Sequence, residues 1–236
     1  HHTASYIALT GGGQNAKPGE ISLAHNGVLF LDEVPEYSRH SLESLRQPLE
    51  DKVITIARAN KTVTYPANFM LIARMNPCPC GNYGSKTKEC TCTVTQIQNY
   101  LHKLSGPLMD RIDLHVEVDS VSYGELVSEE TAEPSSKVKE RINAARAVQA
   151  ERFKGQDIRT NSQMSAQLTK KYCALDGKGN ALMESAFRNL QLSARARDRI
   201  LKVARTIADL EGSADIAAKH VAEAVQYRSL NKKYRV

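Results

Sequence analysis

The first half of the chain contains apolar runs with the length and composition of β-strands. Residues 27–31 (GVLFL) are uncharged and mostly β-branched or bulky, which predicts a strand buried on both faces, as in a parallel sheet. Residues 69–73 (FMLIA) predict a second buried strand. Residues 53–56 and 62–65 flank a turn at hairpin spacing, and they predict an antiparallel pair.

Helical segments lie between these strands. Ser38 can cap a helix whose leucines recur at helical spacing through Leu49. Two further apolar runs, Ser5–Leu9 and Leu114–Val118, predict strands near the two ends of this half. The pattern therefore favours an α/β fold with a parallel sheet.

Beyond an acidic, apolar-poor linker at residues 129–136, helical periodicity takes over and no strand pattern returns. The helical segments are Ser136–Phe153, Asn180–Leu190, Ala194–Leu210 and Ala217–Leu230. The sequence thus predicts an α/β domain over residues 1–134 and an all-α domain over residues 135–236.

Polar side chains follow the two buried strands. Asp32 and Glu33 close the first strand, at the edge where open α/β sheets bind ligands. This is the form of a Walker B motif, in which Asp32 would hold Mg²⁺ through water and Glu33 would polarise the attacking water. Asn76 follows the second strand and can hydrogen-bond a γ-phosphate or that water. The alternatives are an acidic turn after a buried strand and an Asn that starts a turn before Pro77.

No phosphate-binding loop accompanies these acids. Gly11–Gly13 lacks a following Gly-Lys-Ser/Thr, so Walker A is absent from the chain. We therefore expect the isolated chain to bind nucleotide weakly or not at all, and we interpret it as a fragment of a longer protein. For the chain alone, enzyme activity is uncertain.

Four cysteines form two close pairs, Cys78/Cys80 and Cys90/Cys92, on one long loop. Four thiolates in a reducing compartment suit tetrahedral Zn²⁺, and a disulfide or free thiols are the alternatives. Cys173 stands alone and is most simply a buried core cysteine.

The net charge of +6 hides an uneven distribution. Residues 1–134 hold 11 Lys and Arg against 16 Asp and Glu, a net charge of −5, whereas residues 135–236 hold 21 against 10, a net charge of +11. The basic half, together with Arg58 and Lys61 near the hairpin tip, favours DNA as a partner, although a basic helical surface is often only a solvated face. There is no membrane-length apolar run and no signal-peptide pattern, so we expect a cytoplasmic protein.

Two arginines are candidates for phosphate contacts. Arg111 stands between Asp110 and Asp113, so it is either a salt-bridged surface residue or an arginine that reaches a neighbouring subunit's γ-phosphate. Arg195 opens a helical segment in which basic residues, spaced by two and three, spread over several faces.

An ordered set of segments makes a family resemblance specific. The segments are PGEISLAHNGVLFLDEVPE, LRQPLED, MNPCPCG, SGPLMDRIDLHVEV and LSARARDRILKVARTIADL. Together they resemble the magnesium-chelatase-like AAA+ ATPases of the YifB/ComM family over nearly the whole chain.

The resemblance implies a partial RecA-like core followed by a helical lid, assembled as a homohexameric ring that uses ATP and Mg²⁺. It makes Asp32 and Glu33 Walker B, Asn76 sensor 1, Arg111 the arginine finger and Arg195 sensor 2. ComM-type members resemble DNA helicases that drive branch migration, so the leading hypothesis is an ATP-driven DNA motor. The alternatives are a chelatase-type ATPase that remodels a protein partner and a zinc-stabilised interaction module.

Overall fold

A computed structural model describes residues 3–58, 61–119, 121, 123–127 and 132–233. The chain divides into two compact units, His1–Ile112 and Asp113–Arg235, which we call the α/β unit and the helical unit. This division falls earlier along the chain than the boundary at residue 134 that composition suggests.

The α/β unit combines short helices with three two-stranded sheets among its described residues. In chain order, its elements are α1 (Tyr6–Thr10), β1 (Gly11–Gly12), β2 (Lys17–Pro18), α2 (Glu20–Leu23), β3 (Val28–Leu31), a 3₁₀ turn (Val34–Glu36), α3 (Arg39–Glu43), α4 (Arg46–Asp51), β4 (Val53–Arg58), β5 (Lys61–Pro66), β6 (Met70–Ala73), α5 (Val94–Leu101) and α6 (Gly106–Met109). The pair β3–β6 is parallel, and the pairs β1–β2 and β4–β5 are antiparallel.

The parallel pair β3–β6 is buried on one face only. Leu29 and Leu31 lie in the core of the α/β unit, but the alternate side chains on both strands are between 45% and 60% exposed. We call this surface the open face; it consists of Val28, Phe30, Met70 and Ile72. The prediction that β3 is buried on both faces is therefore wrong for this structure, because the described residues cover only one side of the pair.

The run Ser5–Leu9 is helical and not extended as predicted. The Ser5 hydroxyl accepts a hydrogen bond from the Ala8 amide at 3.1 Å and caps α1. Side-chain capping satisfies an amide that a helix start otherwise leaves without a partner, which favours the helix over a strand. Leu9 at its end is buried in the core.

The hairpin β4–β5 matches its prediction and is joined to the segment before it. Ile54 and Ile56 are buried, while Thr55 faces Thr64 on the exposed side. The Tyr65 hydroxyl donates to the Ala16 carbonyl at 2.9 Å. Arg58 and Lys61 end and begin the two strands, but their side chains and the turn at residues 59–60 lie outside the described part of the chain.

In the helical unit, helices α9 to α12 and the C-terminal end of α8 contribute to one apolar core. Its helices are α7 (Tyr123–Leu126), α8 (Ser135–Arg152), α9 (Ala166–Tyr172), α10 (Gly177–Asn189), α11 (Ala194–Glu211) and α12 (Ala218–Lys233), with a 3₁₀ turn at Asn161–Gln163. Cys173 is buried in this core, as predicted. The hydroxyl of Ser193 caps the start of α11, and Gly212 ends it in the left-handed conformation.

The predicted strand Leu114–Val118 does not form. These residues have no regular secondary structure, and Leu114, Val116 and Val118 are exposed. The His115 amide donates to the Tyr227 carbonyl at 3.0 Å, a contact with a residue of helix α12 and not with a strand. Alternation of apolar and polar residues predicts a strand only where another strand supplies the ladder, and no strand in the described part of the chain pairs with this run.

Candidate nucleotide and metal sites

The ends of β3 and β6 place an acid beside a base. Leu31 pairs with Ala73 in register, and the Arg74 amide continues the ladder by donating to the Leu31 carbonyl at 2.9 Å. Asp32 and Arg74 are therefore neighbours across the two strands. The Arg74 guanidinium donates to the two carboxylate oxygens of Asp32 at 3.0 and 3.3 Å.

Glu33 lies at a sharp bend directly after Asp32. Its backbone has φ 52° and ψ 46°, in the left-handed region that residues other than glycine rarely adopt. The Glu33 amide donates to Asp32 Oδ1 at 2.9 Å. Holding a non-glycine residue in this conformation costs about 1–3 kcal/mol, and such strain clusters at functional sites. At this bend, the backbone of Glu33 turns away from the direction of β3 at the edge of the sheet.

The prediction for Asn76 rests on its position. It is exposed and lies three residues after the end of β6. The nearby Tyr100, on α5, is buried, and it hydrogen-bonds the Asn76 backbone. Burial, followed by the charge of Glu36, raises the pKa of Tyr100. Sequence reasoning missed Tyr100 at this place, although Ile97, Tyr100 and Leu101 have the spacing of a buried helix face.

The residues at this edge suit Mg²⁺. Asp32 and Glu33 offer carboxylate oxygens, the hard donors that Mg²⁺ prefers, commonly with water molecules retained in between. Both side chains are partly exposed, which leaves room for a hydrated ion. The donor chemistry therefore fits the ion that a Walker B motif implies.

Arg111 is largely buried, with 10% of its side chain exposed. It donates to the Pro107 carbonyl at 2.7 Å and forms an ion pair with Glu50. These contacts give the salt-bridge alternative a definite geometry within the α/β unit. An open cleft of about 450 Å³ beside the guanidinium is lined by Glu43, Arg46, Gln47, Glu50 and Asp51.

Arg195 is exposed on the first turn of α11. The other arginines of this segment serve different partners, since Arg199 pairs with Asp113 and Arg205 pairs with Asp209. The prediction that the basic cluster spreads over several faces is consistent with these pairings. The structure describes Arg195 within the helical unit, and its action on a nucleotide stays a prediction.

The four paired cysteines converge in space. Their sulfur atoms lie within 4.8 Å of one another, and Cys78, Cys80 and Cys90 are separated by 3.4, 3.6 and 3.7 Å. A tetrahedral zinc site with Zn–S bonds of about 2.3 Å places its sulfur atoms about 3.8 Å apart. The loop thus brings the four sulfur atoms to separations close to those of a tetrahedral metal site.

The protonation behaviour of the cluster also fits a cation site. Backbone hydrogen bonds from Asn82 and Thr91 lower the pKa of Cys80 to about 5. A backbone hydrogen bond with Cys92 lowers the pKa of Cys90, but burial and the neighbouring thiols outweigh it and raise that pKa to about 12. One thiolate forms easily, and a further negative charge beside it requires a cation.

Comparison with known proteins gives the same family along both halves of the chain. Residues 1–126 match the family model described as magnesium chelatase, subunit ChlI, and residues 132–228 match its C-terminal counterpart. Competence protein ComM of Haemophilus influenzae is 46% identical over 231 residues, which are 98% of this chain and 44% of the relative. The chain belongs to the YifB/ComM family of magnesium-chelatase-like proteins.

Two further relatives are similar to the chain, one strongly and one more distantly. The uncharacterized protein YifB of Escherichia coli is 44% identical over 233 residues, which are 98% of this chain and 45% of the relative. The zygotic DNA replication licensing factor mcm6-A of Xenopus laevis is 24% identical over 225 residues, 91% of this chain and 25% of the relative. Membership in the family fits an AAA+-like fold. The chain spans slightly less than half the length of its ComM and YifB relatives.

The family assignment agrees with the sequence-based expectation of an α/β region followed by a helical one. In the part of the chain that the structure describes, no helix is long and apolar enough to cross a membrane.

Proposed function

We propose that the chain is part of an ATP-hydrolysing AAA+ ring motor that acts on DNA. The observation that supports this most directly is the paired ending of β3 and β6. Two carboxylates, Asp32 and Glu33, follow one strand of a parallel pair, and Asn76 follows its partner. This combination supplies a metal ligand, a proton acceptor and a hydrogen-bonding amide for phosphoryl transfer to water.

Each of these residues has a distinct role in the proposal. Asp32 would hold Mg²⁺ through water, and the ion would supply positive charge against the phosphates. Glu33 orients a water molecule and accepts its proton, and Asn76 hydrogen-bonds that water or the terminal phosphate. Arg195 contacts the nucleotide of its own subunit, whereas Arg111 acts on the nucleotide of the next subunit in a homohexamer.

The 236 residues lack the backbone cradle and the lysine that hold a triphosphate. We infer that these residues alone bind nucleotide weakly and that tight binding requires a phosphate-binding loop in addition. For the chain alone, calorimetry with Mg·ATP should show weak binding or none, and tight binding would contradict the inference.

The positive charge of the helical half and the names of two relatives favour DNA as the partner. The helical half carries a net charge of +11. One relative is named for competence and another for DNA replication licensing. Arg58 and Lys61, at the end of the hairpin, are our candidates for phosphate contacts. We expect the motor to work in the cytoplasm, where DNA and ATP are both available.

The test of the ATPase is Glu33→Gln in the full-length protein. The amide keeps the shape of the side chain but cannot accept a proton, so hydrolysis should slow by about 10²–10⁴ with nucleotide binding nearly unchanged. Glu36→Gln is the matched control, because Glu36 is an exposed carboxylate in the next turn that pairs with Lys103. Wild-type turnover in Glu33→Gln would remove Glu33 from the mechanism.

The test of the DNA partner is the salt dependence of binding. Each phosphate contact steepens the fall of log K with log salt concentration, so Arg58→Ala and Lys61→Ala should each reduce the slope by about one. A salt-independent, weak interaction would instead favour the protein-remodelling alternative.

We also propose that Cys78, Cys80, Cys90 and Cys92 hold one structural Zn²⁺. The spacing of the four sulfur atoms, which matches a tetrahedral site, supports this. Elemental analysis of the purified protein should give one zinc per chain, and Cys80→Ser should lower that content. Absence of zinc together with indifference to a chelator would favour free thiols.

A further inference from the structure

Arg74 occupies a place that the proposed mechanism does not use. Arg74 directly follows β6 as Asp32 directly follows β3. Both residues lie one position beyond the paired residues Leu31 and Ala73, and the hydrogen bond from the Arg74 amide to the Leu31 carbonyl continues this register, so the two side chains lie on the same face of the parallel pair. The contact is therefore built into the strand register and does not depend on a chance meeting of long surface side chains.

Arg74 competes with a metal ion for the carboxylate oxygens of Asp32. An ionised carboxylate offers about four lone-pair sites, and here Asp32 accepts the Glu33 amide as well as two contacts from Arg74. A hydrated Mg²⁺ bound to Asp32 needs carboxylate oxygens, and a guanidinium at about 3 Å both occupies them and repels the ion.

The pair is also weak enough to open. The side chains of Arg74 and Asp32 are 64% and 43% exposed. Exposed ion pairs contribute little net free energy, because water screens them and their side chains lose freedom. Arg74 can therefore exchange Asp32 for another anion at modest cost.

We propose that Arg74 is a positioning residue that holds the Asp32 carboxylate while the site is empty and weakens the binding of Mg²⁺ there in the absence of nucleotide. The inference rests on the proposed function of Asp32. The arrival of a triphosphate offers Arg74 a second anionic partner at the same sheet edge, which leaves Asp32 to the cation. Nucleotide then favours metal binding at Asp32, and without nucleotide the site binds divalent ions less tightly.

The experiment measures metal binding without nucleotide. The probe is Mn²⁺, whose free-ion electron paramagnetic resonance signal disappears on binding, and the sample is the zinc-loaded, nucleotide-free full-length protein. Removing the competing guanidinium in Arg74→Ala should tighten Mn²⁺ binding by about three- to fivefold, which is the upper part of the effect expected for an exposed charge pair. Arg74→Lys keeps the charge and should stay within about twofold of the wild type.

Two further variants make the result interpretable. Arg188→Ala is the matched control, because Arg188 is also an exposed arginine paired with a carboxylate, that of Glu184 on α10, and its removal should leave Mn²⁺ binding unchanged. Asp32→Ala should abolish the site. If Arg74→Ala does not fold, Arg74→Gln, which retains most of the side-chain length, is judged by the same criterion.

The outcomes separate the inference from the function on which it rests. If Asp32→Ala loses Mn²⁺ while Arg74→Ala and Arg74→Gln bind it no more tightly than the wild type, the inference is wrong and the metal role of Asp32 stands. If Asp32→Ala binds Mn²⁺ as the wild type does, the metal role and the inference fail together. Tighter binding in both neutral variants, with Arg74→Lys and Arg188→Ala unchanged, supports the proposal.

Discussion

The α/β unit and the helical unit each contain an Asp–Arg contact, in opposite surroundings. Asp32 and Arg74 meet at an exposed sheet edge. In the helical unit, the side chains of Asp209 and Arg205 are 0% and 3% exposed and meet at 3.1 Å within α11. The same residue types thus form a pair open to water in one unit and a pair sealed from it in the other.

The sealed pair belongs to a fully connected network. Asp209 also accepts from Arg152 at 2.7 Å and from the Asn161 amide at 2.8 Å. Arg205 donates to the carbonyls of Ser213 and Ala214, and so it holds the turn that follows α11. Burial raises the pKa of Asp209, but the hydrogen bonds from Arg152 and Asn161 and the nearby guanidinium charges outweigh it, so that the pKa is lowered.

The difference in exposure between the two pairs shows how burial determines what an ion pair can do. A buried pair cannot exchange partners without leaving a charge unsolvated, so it fixes the fold. An exposed pair loses little when its partner changes, so it is suited to a site that binds and releases ligands. The predictions below begin with this comparison and continue from the largest expected effect to the smallest.

The largest expected effect on stability comes from Asp209→Ala. Its removal leaves Arg152 and Arg205 without their shared carboxylate, which should lower the free energy of unfolding by about 3–5 kcal/mol. Asp198→Ala is the control on the same helix, because Asp198 pairs with Arg197 near the surface, and it should change stability by less than about 0.5 kcal/mol. Urea denaturation followed by circular dichroism measures both. If the two variants lose equally little, burial does not separate the two kinds of pair.

Arg111 tests the comparison from the side of the α/β unit, because it is nearly buried and yet proposed to act on a neighbouring subunit. As an arginine finger, Arg111→Ala should lower turnover of the full-length protein by about 10³ with little loss of nucleotide affinity. Glu50→Gln removes its ion-pair partner and serves as the control. Equal losses of turnover and stability in the two variants would make Arg111 a structural residue.

Mixed rings test the same residue in trans. When Arg111→Ala subunits are combined with subunits mutated at Asp32 and Glu33, some sites join one subunit's intact acids to another's intact Arg111. Part of the activity should therefore return. Inactive mixtures, with subunit exchange verified, would count against action across the interface.

A smaller effect is expected at Gly19, where the α/β unit is tightly packed. A Cβ there would lie 2.2 Å from the Gly11 nitrogen and 2.5 Å from the Leu9 carbonyl oxygen, both backbone atoms that cannot easily move. Gly19→Ala should cost about 1–3 kcal/mol. Gly106→Ala, at a helical glycine with nothing within 4 Å of the added atom, should be neutral or slightly stabilising. Thermal unfolding of the two variants tests whether the close approach of Gly19 to Gly11 and Leu9 excludes a side chain.

The smallest effect is a pH dependence of the helical unit. The folded state lowers the pKa of Asp209 below its ordinary value of 3.8, so its contribution to stability is complete above that pH and is lost as pH falls through the folded pKa. In this window, the free energy of unfolding should fall by at most about 1.4 kcal/mol per pH unit because of this group. Asp209→Asn should show a shallower decline below pH 3.8 than Asp198→Asn. Identical slopes would assign the acid sensitivity to other carboxyl groups.

Local patterns predicted most of the helical unit. The expected segments Ser136–Phe153 and Ala194–Leu210 correspond to α8 and α11 within one residue at each end. Helical periodicity and capping are properties of neighbouring residues, so a single chain reveals them. The convergence of the cysteines was predicted for the same reason, since two close pairs on one loop need little more than a turn to meet.

Features that depend on contacts between distant parts of the chain could not be predicted from the sequence. Leu114–Val118 has the alternation of a strand, but alternation does not supply a partner strand. Apolar character in β3 does not reveal how many layers cover it. The contact of Arg74 with Asp32 depends on the register between strands separated by a hairpin, so Arg74 is only an unexplained basic residue until that register is known.

The open face of β3 and β6 has a practical consequence for work with this chain. Four large apolar side chains lie side by side on a short parallel pair and form an exposed hydrophobic patch. The chain expressed alone should therefore self-associate as its concentration rises. A dye such as anilinonaphthalene sulfonate should bind there and fluoresce while the protein is still folded. Replacing Phe30 and Met70 with threonine or glutamine should then improve solubility and crystallisation without disturbing the buried Leu29 and Leu31.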